Sequence, residues 1–154
     1  MEKQTDKNRA VAKKKGSASA KRKESGPATI LRFSEDHLWV RAEANRGQIG
    51  LSDFGQDVIG ELIAIELPDI GDPVEKGESF GQLESVREIQ ELLAPITGTV
   101  VAINGELEDN PSLANEDPYH EGWLIEVEFD DESQLDDLMA TEEYEDFIAK
   151  EGDG

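Results

Sequence analysis

From residue 30 onward the apolar and polar side chains follow two rhythms. "ILRF" (30–33) and "LWVRAE" (38–43) alternate between the two classes, the period-two pattern of a half-buried strand. "RGQIGL" (46–51) continues it, with Gly47 and Gly50 at places where a hairpin can turn and a strand resume. "SDFGQDVIG" breaks the rhythm. Ser52 is a good N-cap, Asp53 suits a first turn, Phe54 and Val58 stand four apart and Gly60 is a natural stop, so a short helix is expected. "ELIAIELP" follows as a half-buried strand ending at Pro68.

A turn from Gly71 to Pro73 and a reversal at Lys76-Gly77 then lead into a strand through Phe80 and Leu83. Beyond a tip at "SVRE" (85–88), the chain returns through "IQELLAP", reverses at "ITG" and runs on as "TVVAIN". The halves "VEKGESFGQLES" and "LLAPITGTVVAI" carry a weak internal symmetry. "NPSLANEDPYHEG", with two prolines, reads as a loop before a last strand, "WLIEVEF". The acidic end is helical by period: Leu135, Leu138 and Met139 make one apolar stripe. Thr141 caps a second helix, whose stripe is Tyr144, Phe147 and Ile148. The expected fold is mostly antiparallel β with small flanking helices.

Charge divides the chain where hydropathy does. The net charge of the 154 residues is −21, yet residues 1–28 hold nine Lys/Arg against three Asp/Glu, a balance of +6, and residues 29–154 hold six against 33, a balance of −27. The first segment has almost no apolar side chains to bury and is expected to be disordered. Its KKK and KRK clusters raise nucleic acid as a partner, but the acidic body beside them repels phosphates, and such binding is not expected. The same body favours partners with basic docking faces; an acidic proteome would give the same composition. Cysteine is absent, which removes disulfides, thiolate nucleophiles and cysteine-held metals. No apolar run matches a membrane span or a secretory signal, so a cytoplasmic protein is expected.

Candidate chemistry is sparse. His37 and His120 are isolated, without acids at metal-ligand spacing. Ser85 has no adjacent histidine and no Gly-x-Ser-x-Gly elbow, and no phosphate-cradling glycine loop opens a helix. An enzyme acting alone is not expected.

"HLWVRAE", "IGLSDFGQDVIGEL", "IELPDIGDPVEKGE", "ESV", "APITGTVVAIN", "NEDPYHEGWLIEV" and "EEYEDFI" stand in an order that covers residues 30–150. In that combination the body resembles the glycine cleavage system H protein, a lipoyl-carrying member of the barrel-sandwich hybrid fold shared with lipoyl and biotinyl carrier domains. The resemblance implies that fold, with a short internal helix and C-terminal helices, for residues 29–154. It also implies a packed or hydrogen-bonded role for His37 and makes Glu84, Ser85 and Val86 part of the cofactor-binding hairpin. In the family the hairpin reads ESVK, and the lysine carries lipoate in amide linkage. The loaded arm visits a pyridoxal-phosphate decarboxylase, a tetrahydrofolate-dependent aminomethyltransferase and a dihydrolipoamide dehydrogenase.

This chain reads Glu84-Ser85-Val86-Arg87. Lipoylation needs a neutral amine to attack an activated acyl group; arginine keeps its proton, and its lone pairs are delocalised over the guanidinium. Arg87, the position equivalent to the lipoyl-lysine, is not expected to be modified, and no cofactor is expected. Lys76 and Lys150 are the only lysines of the body, and the strand between Lys76 and the tip holds them roughly 23 Å apart. Arg87 between Glu84 and Glu88 is expected to form a solvated surface ion pair, or else to dock in the slot that a partner keeps for the arm. The expected function is a non-lipoylated H-protein-like binding or regulatory module for those three enzymes or for lipoate-attaching ones. The alternative is a functional H protein carrying lipoate elsewhere or acting by another route in glycine cleavage.

Overall fold

The computed structural model describes residues 29–153; the basic segment expected to be disordered, residues 1–28, lies outside them. In chain order the elements are β1 (Thr29–Phe33), β2 (Leu38–Glu43), β3 (Arg46–Leu51), α1 (Asp53–Ile59), β4 (Leu62–Glu66), β5 (Pro73–Val74), β6 (Ser79–Ser85) and β7 (Ile89–Leu93). They continue with β8 (Gly98–Ile103), α2 (Glu106–Asp109), α3 (Leu113–Glu116), β9 (Ile125–Glu128), α4 (Ser133–Asp136) and α5 (Thr141–Asp153). Every strand pairing is antiparallel: one six-stranded sheet runs β1-β2-β3-β9-β8-β5, and a three-stranded sheet runs β4-β6-β7.

The main core draws on both sheets, with Val40, Ile49, Leu83, Ile96, Val100 and Ile125 each removed from solvent. Alternation in β2 sends Leu38, Val40 and Ala42 into this core and turns Trp39 to the other face. That face is covered too. Trp39 joins Phe33 and Tyr144 in a second cluster, backed by Met139, Phe147 and Ile148 of the C-terminal region, and its indole N–H donates to the carbonyl of Pro118 at 3.0 Å. A strand expected to be half-buried is therefore buried on both sides, because α5 lies over it.

The structure moves four local expectations. Gly47 and Gly50 do not turn the chain; both lie inside β3, and the reversal is the two-residue loop Ala44-Asn45, with Ala44 at φ 56°. The glycines provide room instead: Gly50 faces Trp39 across the strand pair, and a Cβ there would come within 2.5 Å of the indole. In α1 the buried pair is Gly55 and Ile59, one step round from the expected stripe, and Val58 is 48% exposed. The expected loop contains α3, with α2 just before it, and α5 starts from Ala140, whose carbonyl accepts from Tyr144 and whose N–H donates to the Glu143 carboxylate. Ser52 caps α1 as expected, accepting from the Gly55 N–H at 3.0 Å.

Candidate functional site at the hairpin tip

Strands β6 and β7 end in register at Glu84 opposite Ile89, leaving Ser85 to Glu88 as the tip. Ser85 is buried and organises it. Its N–H donates to the Glu88 carbonyl at 2.8 Å, and its hydroxyl oxygen accepts from the N–H groups of Arg87 and Glu88, both at 3.1 Å. An oxygen so occupied holds a turn; it has no histidine to activate it as a nucleophile. Val86 donates its N–H to the carbonyl of Glu61 at 3.0 Å, which ties the tip to the segment joining α1 and β4. The side chains of Val86 and Ile89 project outward, 63% and 62% exposed.

Arg87 does not form the expected ion pair: among the described residues no carboxylate lies within 4 Å of it. Its guanidinium reaches across to α1 and donates to the carbonyl of Val58 at 2.7 Å. The physical reason is the helix end. The last carbonyls of a helix lack intrahelical donors and carry its negative dipole, so a cation placed there gains a hydrogen bond as well as a favourable field. No basic residue within the last turn of α1 fills this role. Gly60 makes the contact possible twice over, with φ 90° and with no Cβ where one would stand 3.0 Å from Arg87 Nε.

Asn115 holds the same corner from the other side. Its Oδ1 accepts from the Leu62 N–H at 2.9 Å, and its Nδ2 donates to the carbonyl of Gly60 at 2.9 Å and to Gln56 at 3.0 Å. Around these groups opens a cavity of about 390 Å³, lined by Gln56, Asp57, Gly60, Glu61, Arg87, Ser112, Asn115 and Glu116. Sequence reasoning found Gly60 as a helix stop but missed Val58 O, Glu61 O and Asn115. Backbone acceptors leave no trace in a side-chain pattern, and Asn115 sits in a segment read as loop.

The remaining candidates lie apart from the tip. Lys76 stands in the turn at the opposite end of β6, with its ammonium 2.8 Å from the Asp137 carboxylate, and Lys150 is exposed on α5. His37 is packed, as expected: Nδ1 lies 2.9 Å from the Tyr144 hydroxyl and Nε2 3.4 Å from Glu151, with the ring against Phe54 and Phe147. Burial pushes the Tyr144 phenol up to about 12, against the opposing pull of its bond to Ser52. His120 is exposed beside Asp117. Among the described residues no group of three or more metal-ligating side chains comes together, and no helix is long and apolar enough to cross a membrane.

Two antiparallel sheets enclosing one core, with a projecting β-hairpin and a C-terminal helix, make a barrel-sandwich fold of the lipoyl-carrier type. The family model for the glycine cleavage H-protein matches residues 31–151. The chain belongs to that family. It is 46% identical over 121 residues to the glycine cleavage system H protein of Halalkalibacterium halodurans, covering 79% of this chain and 94% of that one. With the Brevibacillus brevis protein of the same name it shares 48% over 115 residues, covering 75% and 91%. The crystal structure of a glycine cleavage system H protein from Mycobacterium marinum superposes with a TM-score of 0.72 at 28% identity, covering 77% of this chain and 96% of that one.

Proposed function

We infer that this chain is an H-protein module whose hairpin carries no lipoate, and that it works by binding rather than by carrying. The observation that supports this most is Arg87 itself. It stands at the tip position of the β6–β7 hairpin, and its guanidinium is engaged with the carbonyl of Val58. An amide-linked lipoyl group needs an amine at that position, and the four tip residues offer none, so they do not fit the group. Glu84, Ser85, Val86 and Arg87 then serve as a docking hairpin.

In this reading the chain divides into residues 1–28 and a carrier-fold domain, 29–154, acts in the cytoplasm, and has no catalytic site of its own. Its partners are the glycine cleavage decarboxylase, aminomethyltransferase and dihydrolipoamide dehydrogenase, or lipoate-attaching enzymes, which it occupies as a competitor, scaffold or regulator. The alternative, a carrier lipoylated elsewhere, has little to rest on: Lys76 is paired with Asp137 at the far end of β6, and Lys150 projects from a helix rather than a hairpin. Intact mass spectrometry of the protein expressed with a lipoate ligase tests the reading. The unmodified mass is expected, and a gain of one lipoyl group on any residue overturns it.

A further inference from the structure

A second cavity, of about 590 Å³, lies between the start of α1 and α5 and shares Gln56 and Asp57 with the one at the hairpin tip. Its floor is aromatic: Phe33 and Tyr144 stack with ring centroids 4.3 Å apart, and Phe54 and Tyr119, both half-buried, stand at its sides. Its rim is acidic, with Asp53, Asp57 and Glu145 all exposed. Among the described residues no basic side chain lies within 4 Å of these three carboxylates. None of the described residues that line the cavity is basic either. The other hollows differ: Lys76 lies in one, Arg87 in another, and Arg41 with Arg46 offsets Glu43 and Glu126 in a third. A fourth, holding Glu66 and Asp72, has a single ring, Phe80.

Aromatic faces beneath unpaired carboxylates attract an organic cation, because ring quadrupole and charge act in the same direction in a partly dry site. The chain contains such cations in a segment no other feature of the fold accounts for. Lys13, Lys14, Lys15, Lys21, Arg22 and Lys23 lie outside the described residues and join the domain at Thr29, the first residue of β1. Phe33, at the other end of β1, is in the cavity floor. Four strand steps from Thr29 to Phe33 cover about 13 Å. The six residues from Lys23 to Thr29 can span about 20 Å, so the length suffices.

We propose that this aromatic, acid-rimmed cavity binds the lysine- and arginine-bearing segment 13–23 of the same chain, placing an ammonium or guanidinium group over Phe54 and Tyr119. The proposal is independent of whether the hairpin is lipoylated. Bound there, the segment neutralises the face of α1 next to the hairpin, and a partner with a basic docking surface has to displace it.

Zero-length carbodiimide coupling of the full-length protein, mixed with an isotopically labelled copy and mapped by mass spectrometry, tests this. Lysines 13–23 are expected to couple within one chain to Asp57 or Glu145. The coupling should fall severalfold in Phe54→Ala, which leaves every charge in place. A companion variant, Lys21→Gln with Arg22→Gln and Lys23→Gln, leaves the folded domain untouched and should shift the ring resonances of Phe54 and Tyr119. Coupling spread evenly over distant acids such as Glu106, Glu108 and Asp130 overturns the proposal. So does coupling between copies, or ring resonances indifferent to the tail charges.

Discussion

One N–H of the Arg87 guanidinium is committed to the Val58 carbonyl, and the backbone on either side of it is fixed by Ser85. Only the first tie depends on the residue being arginine, since the Ser85 contacts reach main-chain N–H groups alone. Arg87→Lys should therefore keep the tip and regain an amine. With a lipoate ligase the variant is expected to gain one lipoyl mass in intact mass spectrometry while the parent gains none. A variant that stays unmodified would place the fault in Glu88 and Ile89, the two residues that follow it. The identity of residue 87 was legible in the sequence, and so was its chemistry. Its partner was not: the sequence offered Glu84 and Glu88, whereas a helix end that is distant in the chain provides a better acceptor than two solvated carboxylates.

Between elements, small residues set how closely backbones and rings approach. Gly50 in β3 lies under Trp39, and Gly50→Ala should cost about 1–3 kcal/mol in urea denaturation, because the indole is held by its bond to Pro118 and has little freedom to move aside. Asn115 in α3 joins α1 to β4. Asn115→Ala leaves the Leu62 N–H and the Gly60 carbonyl without their partner and should destabilise by about 2 kcal/mol, with faster amide exchange at Leu62. These ties explain the misplaced hairpin turn. A glycine in a strand pattern signals either a turn or a close approach, and only the neighbour that fills the space, here a tryptophan eleven positions earlier, decides between them.

For the whole molecule, the C-terminal helix is fastened through one phenol. Tyr144 lies in the second core, with its hydroxyl shared between Ser52 and His37, and ionises at about 12 instead of 10.0. The neutral phenol is the form the fold favours. Its contribution is complete below pH 10 and is lost as pH rises towards 12. Tyr144→Phe should be less stable at neutral pH by about 1 kcal/mol from the lost hydrogen bonds. Its stability should also fall less between pH 10 and 12 than that of the parent. Chemical denaturation at several pH values checks both.

Periodicity, cap residues and charge are local properties, and so the sequence alone determined the strand-rich body, the Ser52 cap, the Gly60 stop, the acidic surface and the missing amine at the tip. Tertiary structure decided which of two faces each element buries, that the second face of β2 lies beneath α5, and that Arg87 closes on α1. Each of these outcomes depends on main-chain acceptors and ring positions that come together only when segments tens of residues apart pack against one another. A one-dimensional pattern records what a residue can do, and the folded neighbours select which of those options it takes.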